Sequence, residues 1–418
     1  MIASVPALAI FLYSSYVNIL IYNWKDIRNP EAGGAEVIAS QFARRLARDG
    51  HEVTLFARAF RGCKGEERVD GLRVLRRGNA LSVYLHAFLH YSRLPQKPDL
   101  VLDMVNTICW QTPWYVPAEN RVAYVNQLAR EVCFFQLPWP LSLLAYAAER
   151  LEYIPYRRTR FLCYSLSTRD DLVRIGIPKA LIRVFPLGLD HDTYRLGTTK
   201  SATPLFVFVA RLVNMKRADL CVRALRLVVE RFPASRLVLI GGGPEERSLE
   251  RLIKVLHLET HVEFLHRTAN FLTDRSQQEQ KVACMQDAWA LLLPSVKEGW
   301  GMVVTEAAAC GTPSIVTDVS GLRDSVRDDE TGILVSATPS PDELAEAMCR
   351  IIADQDLRER LSANAHTWSA TFDWETSYRR FREALQLDAS RRETKLAPAR
   401  TFADISPTAD QAERNGRS

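Results

Sequence analysis

Cysteine, long apolar runs and metal-binding patterns are all scarce in this chain. Its eight cysteines are scattered without CxxC spacing, which argues against a disulfide framework and favours a reducing, cytoplasmic compartment. No apolar run approaches the ~18 residues that are needed to cross a bilayer. No DxD-like motif and no His/Cys cluster has convincing spacing, so we expect neither a bound metal nor another cofactor.

The composition that remains is that of a soluble globular protein. With 47% hydrophobic and 25% charged residues, the 418-residue chain is long enough for two domains. Residues 1–16 are apolar but precede the first lysine, Lys25, so the basic start of a signal peptide is missing. We interpret 1–16 as an extension outside the fold; a short membrane-touching segment is the alternative. The polar residues 388–418 are predicted to form a disordered tail.

The first half of the chain opens as a doubly wound α/β domain does. A buried strand at 17–22 is followed by a glycine-rich loop, a helix from Ala35 to about Asp49 and a second strand. Gly33 and Gly34 would let the backbone approach a ligand closely, although a plain turn fits them equally well. Further strands are predicted at Leu72–Arg76, Leu100–Asp103, Arg121–Val125 and Arg160–Tyr164.

A second domain is predicted after a linker at Asp190–Thr203. Its first strand, Leu205–Val209, leads into a loop that carries Arg211 and Lys216, and two cations at a strand end suit a diphosphate. Taken alone, the same loop would also fit a solvated surface. The glycine turn after the next strand, which includes Gly243, is expected to line a nucleotide site.

The most informative stretch is PSVKEGWGMVVTEAAACGTP, residues 294–313. A helix is predicted from Met302 to Gly311, and its exposed backbone N–H groups at 301–303 favour phosphate oxygens. Glu298 and Glu306 would repel a phosphate alone, but each can accept hydrogen bonds from hydroxyls beside it. A diphosphate with hydroxyls on both sides is a nucleotide sugar.

These motifs together resemble the donor signature of the family-four (group 1) retaining glycosyltransferases, from about Val17 to Leu385. The resemblance implies the α/β GT-B fold, with two Rossmann-like doubly wound domains that face each other across a cleft. An acceptor-side domain at 17–192 and a donor domain at 203–370 would be joined by a crossover helix at 371–387. The resemblance further implies that Glu298 contacts the transferred sugar, Glu306 binds ribose, and Arg211 and Lys216 neutralise the leaving diphosphate. The other implied donor contacts are Gly33, Gly34, Gly243, Gly299, Gly301, Met302 and Val303.

The implied activity is metal-independent, retaining transfer of a hexose from a nucleotide-diphosphate sugar to an acceptor hydroxyl. The acceptor would be a glycan or a lipid-linked molecule in cell-surface glycan, glycolipid or polysaccharide synthesis. No nucleic-acid partner is expected. Two alternatives remain: a GT-B nucleotide-sugar epimerase and a non-catalytic subunit that binds a nucleotide sugar.

Three departures from the family pattern affect these expectations. Asn126 stands where a first-domain His is usual, so no catalytic residue is assigned there. His266 replaces a common Gly, and a long polar loop is predicted at Thr268–Gln280 near the base, which leaves the base open. Lys297 precedes Glu298, and its charge could alter the hydrogen bonds of that carboxylate.

The acceptor side is the basic half of the chain. Residues 1–196 contain 25 Lys and Arg against 18 Asp and Glu. Within that half, residues 133–160 combine an apolar run with the cations of YRRTR. We favour a core helix with a solvated basic end; the alternative is a peripheral surface for an anionic membrane, on the inner face of the cell membrane.

Overall fold

Two sheets, each flanked by helices, form the body of the protein; the second is parallel, and the first is parallel except for its antiparallel edge strand β3. The computed structural model describes residues 17–266 and 274–387; the predicted extension at 1–16 and tail at 388–418 lie outside that range. The strands of the first sheet are β1 Asn18–Tyr22, β2 Glu52–Ala57, β3 Glu66–Val69, β4 Leu72–Arg76, β5 Leu100–Thr107, β6 Arg121–Leu128, β7 Arg160–Cys163 and β8 Ile182–Val184. Its helices are α1 Gly34–Arg48, α2 Val83–Arg93, α3 Cys133–Gln136, α4 Leu141–Glu152 and α5 Leu166–Arg174.

The second sheet has six parallel strands. They are β9 Leu205–Val209, β10 Arg236–Ile240, β11 Val262–His266, β12 Ala290–Leu293, β13 Ser314–Thr317 and β14 Gly332–Val335. The helices that follow the first sheet are α6 Ala218–Arg231, α7 Glu246–Val255, α8 Arg275–Asp287, α9 Met302–Ala309, α10 Leu322–Ser325, α11 Pro341–Ala353, α12 Gln355–Ser369 and α13 Trp374–Leu385.

Strand order places a switch point in each sheet. The first sheet runs β3-β4-β2-β1-β5-β6-β7-β8, and the second runs β11-β10-β9-β12-β13-β14. Strand β1 therefore lies between β2 and β5, and β9 lies between β10 and β12, so successive crossovers leave in opposite directions. A crevice opens at the carboxyl ends of the strands at such a point. The doubly wound architecture predicted from the sequence is confirmed.

The last helix, α13, lies against the first domain although it follows the second in the chain. Phe381 of α13 stacks on Phe42 of α1, with ring centroids 4.1 Å apart. At the rim, the Tyr378 hydroxyl donates to Asp49 over 2.7 Å, and Glu375 pairs with Arg45 over 3.0 Å. The contact between α1 and α13 therefore has an aromatic centre and a polar rim, and it joins the first domain to the last described helix.

Two expectations about local structure were wrong. The predicted polar loop at 268–280 is partly helical, because Asp274 caps α8 by accepting from the backbone of Ser276 and Gln277. Residues 267–273 of that loop lie outside the described range. The apolar segment at 133–160 is not a core helix, because α4 is inverted relative to an ordinary amphipathic helix. Its polar face, with Ser142 and Glu149, is buried, and its leucines are exposed.

The inversion of α4 has a local cause. Glu149 accepts hydrogen bonds from the backbone N–H groups of Ala129 and Arg130, over 2.7 and 3.1 Å, in the loop after β6. That loop needs an acceptor, so the polar side of α4 faces inward. Leu144 and Leu151 remain 62% and 66% exposed. None of the helices in the described ranges has the length and apolarity that a membrane crossing requires.

Candidate active site

A cavity of about 290 Å³ lies between the two sheets, at both switch points. The loop after β1 closes it from the first domain, and the loops after β9 and β12 close it from the second. Ten of the residues that the sequence suggested line this cavity: Gly33, Gly34, Arg211, Lys216, Glu298, Gly299, Gly301, Met302, Val303 and Glu306.

Gly243 is the one suggested donor contact that does not line this cavity. Its backbone packs against the loop after β9, where an added Cβ would lie 2.3 Å from the carbonyl oxygen of Leu212. Gly241, the first residue after β10, lines the cavity instead. The donor contact of Gly243 stays a prediction.

The two glycines before α9 are required by the geometry of the cleft. A Cβ at Gly299 would lie 1.8 Å from the carbonyl oxygen of Asn126, in the opposite domain. Gly301 caps α9 with φ +82°, a conformation that side chains other than glycine rarely adopt. Together they bring the N-terminus of α9 to the cavity and leave its first N–H groups facing the space where an anion would bind.

Two of the suggested site residues bind each other. Lys216 donates to a carboxylate oxygen of Glu298, and Ser295 donates to the same oxygen over 2.9 Å. Both charged side chains are largely buried, so each needs the other as a counter-ion. Ser295, which the sequence did not single out, belongs to the site because it also orients this carboxylate.

Glu306 is paired in the same manner. Lys281 of α8 donates to Glu306 Oε2 over 2.7 Å and to the Tyr194 hydroxyl over 2.8 Å. The sequence analysis missed Lys281. A signal for it existed, because Lys281 lies one turn before Met285 on the buried side of α8, and a lysine on an apolar face indicates a buried ion pair.

The loop after β1 and the first turn of α1 each bring a further ionisable group to the cavity. Burial, together with the charge of Arg211, lowers the pKa of Lys25, which pairs with Glu31 over 3.1 Å. Burial raises the pKa of Glu36, which accepts from Gly33 N over 2.7 Å at the start of α1. Lys25 and Arg211 thus repel each other across a cavity that a diphosphate would neutralise.

Lys297 joins the two domains. It is 5% exposed and donates to Asp171 over 2.9 Å and to Glu131 over 3.2 Å, both in the first domain. Although burial raises the pKa of Asp171, the Lys297 charge outweighs it and holds that pKa below its usual range. The ammonium group of Lys297 therefore contacts acids of the first domain and not Glu298. No direct contact supports the expectation that Lys297 alters the hydrogen bonds of Glu298.

Asn126 faces the cavity from the end of β6. Its side chain is buried, and its amide nitrogen has no hydrogen-bond partner among the described residues. Buried donors are normally satisfied, so a ligand in the cavity would supply the missing acceptor. Elsewhere in the described ranges, no three His, Cys, Asp or Glu side chains are grouped closely enough to hold a metal ion. Metal independence stays a prediction.

Comparison with known proteins covers both domains. Residues 32–193 match the model "Glycosyltransferase Family 4", and residues 197–368 match "Glycosyl transferases group 1". A D-inositol 3-phosphate glycosyltransferase of Corynebacterium jeikeium is 27% identical over 403 residues, which cover 83% of this chain and 90% of the relative.

Solved structures share the fold. Sucrose-phosphate synthase from Thermosynechococcus elongatus superposes with a TM-score of 0.71 at 20% identity, over 90% of this chain and all of that one. Anabaena HepE in complex with UDP-glucose superposes with a TM-score of 0.65 at 18% identity, over 89% of this chain and all of that one. The chain adopts the GT-B fold and belongs to the family-four (group 1) glycosyltransferases, which transfer a sugar from a nucleotide sugar.

Proposed function

We propose that the protein transfers a hexose from a nucleotide-diphosphate sugar to an acceptor hydroxyl with retention of the anomeric configuration and without a metal. The observation that supports this most directly is the convergence of Arg211, Lys216 and the N-terminus of α9 with two lysine-paired carboxylates in one cavity. The cations and the helix suit a diphosphate, and the carboxylates suit the hydroxyls on either side of it.

The chemistry follows the movement of charge. The bond between the anomeric carbon and the diphosphate oxygen breaks, and its electron pair goes to the diphosphate. Arg211, Lys216 and the α9 N-terminus stabilise that charge. The acceptor oxygen then bonds to the anomeric carbon on the face that the diphosphate leaves, and the acceptor proton passes to the departing phosphate. Arg211 and Lys216 thereby replace a metal ion.

Because Lys216 is paired with Glu298, donor binding would include an exchange of the counter-ion of Lys216. A bound diphosphate offers Lys216 a new counter-ion, which releases Glu298 from its ion pair. Glu298 can then accept from hydroxyls of the hexose, whose anomeric carbon gains positive charge in the transition state. Glu306 is assigned to the ribose, and Asn126 supplies its free amide N–H to the sugar or the acceptor.

The first domain is assigned to the acceptor, a glycan or a lipid-linked molecule, at the inner face of the cell membrane. The exposed leucines of α4 and Trp139, which is 81% exposed, form an apolar surface. Arg150, Arg157 and Arg158 are exposed at the end of this segment. An apolar surface next to cations fits an anionic membrane surface, which would bring a lipid-linked acceptor to the cleft. The curated relative suggests D-inositol 3-phosphate as a second acceptor.

The test is a panel of UDP-, GDP-, ADP- and CDP-hexoses, each with D-inositol 3-phosphate, with membrane lipids or without acceptor. Nucleoside diphosphate release that depends on acceptor, with a retained anomeric centre by NMR, supports the proposal. An epimerised donor without acceptor supports the epimerase alternative, and tight binding without turnover supports the non-catalytic one. Activity that EDTA abolishes and Mg²⁺ restores would contradict metal independence.

A further inference from the structure

The contact between Lys281 and Glu306 extends beyond the donor cavity. Lys281 lies on α8, Glu306 on α9, and Tyr194 on the segment that connects the two domains. The side chains of Lys281 and Glu306 are 9% and 12% exposed, and Tyr194 is buried as well. One ammonium group therefore binds both the carboxylate at the donor cavity and a residue of the interdomain connection.

The chemistry of a buried carboxylate defines what Lys281 does. To accept hydrogen bonds from two hydroxyls, Glu306 needs both of its carboxylate oxygens, and a largely buried carboxylate needs a compensating partner. Lys281 supplies the counter-ion on Oε2, and a carboxylate has enough lone pairs to accept from further donors at the same time. The Tyr194 hydroxyl accepts a second hydrogen bond from the ammonium and fixes its direction.

We infer that Lys281, held by Tyr194, is a positioning residue that keeps the Glu306 carboxylate oriented for the ribose hydroxyls of the donor. The inference rests on the proposed function, which assigns the ribose to Glu306. It adds a specificity determinant: recognition of the ribose hydroxyls depends on a lysine from a different helix. It also links ribose recognition to the connection between the domains, because the same ammonium contacts Tyr194.

The experiment measures calorimetric affinity for ADP, GDP, CDP and UDP, and for the 2′-deoxy form of the tightest binder. The parent should lose about tenfold in affinity when the 2′-hydroxyl is absent, as expected for the loss of a hydrogen bond to a charged group. Lys281→Met should bind the ribonucleotide at least tenfold more weakly and show less than a threefold effect of the 2′-hydroxyl. Lys281→Arg, which keeps the charge, should restore most of that effect, and Tyr194→Phe should give an intermediate value.

Rescue by Lys281→Arg separates positioning from simple loss of structure, because the arginine keeps a cation beside Glu306. A lysine exposed at the end of α7 supplies the matched control, Lys254→Met, which should behave as the parent does. Thermal unfolding checks that each variant is folded; if Lys281→Met is not, Lys281→Arg and Tyr194→Phe are compared with the parent in the same way.

Each outcome has one meaning. If Glu306→Gln loses the effect of the 2′-hydroxyl but Lys281→Met keeps it, Lys281 only forms a structural ion pair and the inference is overturned. If Lys281→Met does not fold, the two other variants decide. Parental affinities for Tyr194→Phe, together with a lost effect of the 2′-hydroxyl in Lys281→Arg, would overturn the role of the contact with Tyr194. If Glu306→Gln itself keeps the full effect of the 2′-hydroxyl, the ribose assignment of the proposed function is wrong.

Discussion

Two acids at the donor cavity and two buried acids of the first domain are compensated in different ways. In the second domain, Glu298 and Glu306 each pair with a lysine. In the first domain, Asp103 accepts from Thr112 and Tyr156, and Glu149 accepts from two backbone N–H groups. Burial raises the pKa of Asp103 and Glu149, and the hydrogen bonds that they accept offset this rise only in part. The lysine-paired acids are placed at the ligand cavity, whereas Asp103 and Glu149 hold loops of the first domain.

The surfaces of the two domains differ as well. Among the described residues, 14 of the 16 exposed large hydrophobic side chains lie between Leu81 and Val173, in the first domain. The second domain contributes only Val255, and Leu196 belongs to the connection. Large exposed apolar patches often mark interaction sites. This difference is consistent with the proposal that the first domain contacts the acceptor or a membrane and that the second binds the donor.

The strongest test of the difference is the removal of a second-domain cation. Arg211→Ala or Lys216→Ala should lower turnover by about 10²-fold, by analogy with the loss of one oxyanion donor. Lys216→Ala also leaves Glu298 without its ion pair, so its effect should be at least as large as that of Arg211→Ala. Steady-state kinetics of nucleoside diphosphate release provides the measurement.

The control for these variants is Arg223→Ala, an exposed arginine of α6 in the same domain. It should keep parental turnover and show the same thermal unfolding as the parent. Turnover within about threefold of the parent in a folded Arg211 or Lys216 variant would remove the leaving-group role, since the expected effect is far larger.

Substitutions of Glu298 and Glu306 should change different kinetic constants. Glu306→Gln should raise KM by about tenfold with little change in kcat, because ribose binding is equal in the ground and transition states. Glu298→Gln should lower kcat, because its electrostatic help grows as the hexose gains positive charge. Parental kcat in Glu298→Gln, or unchanged nucleoside diphosphate binding in Glu306→Ala, would contradict the assigned roles. Equal loss of kcat in both would point to a shared catalytic function.

The sequence predicted the parallel strands and the donor loops well, because buried strands are apolar runs and tight turns need glycine. It did not predict β3, a short and polar edge strand, or β8, which has three residues. For α4, apolar content indicated a helix but not which face would be covered. That depended on backbone N–H groups of a distant loop, which Glu149 satisfies. Lys281 was missed for the same reason, since its partners lie 25 and 87 residues away.

The apolar surface of α4 can be tested directly on vesicles. Leu144→Glu combined with Leu151→Glu should reduce co-sedimentation with phosphatidylglycerol vesicles by about fivefold, because inserted leucines contribute roughly 1 kcal/mol or more. Binding to neutral phosphatidylcholine vesicles should be weaker than to anionic ones in the parent. Val255→Glu, an equally exposed position in the second domain, is the matched control. Equal binding of all three proteins would leave the first domain without a membrane role.

The smallest expected effect concerns Glu152, whose pKa burial raises to about 7. Its carboxylate accepts from Cys109 N and has no lysine or arginine partner among the described residues. A raised pKa means that the folded state binds the proton more tightly than the unfolded state does, so the free energy of unfolding falls as pH rises from about 4.5 to 7.

Glu152→Gln removes this titration while keeping an oxygen that can accept from Cys109. The stability difference between variant and parent should therefore grow in the variant's favour when the pH is raised from 5 to 8. After allowance for partial exposure, we expect this growth to be about 1 kcal/mol in the free energy of unfolding, or roughly 2 °C in melting temperature. Differential scanning calorimetry at the two pH values measures the gain, and the exposed Glu119→Gln in the same domain should show none. A gain at pH 5 that vanishes at pH 8 would reverse the sign, and it would mean that the folded state stabilises Glu152 as a carboxylate.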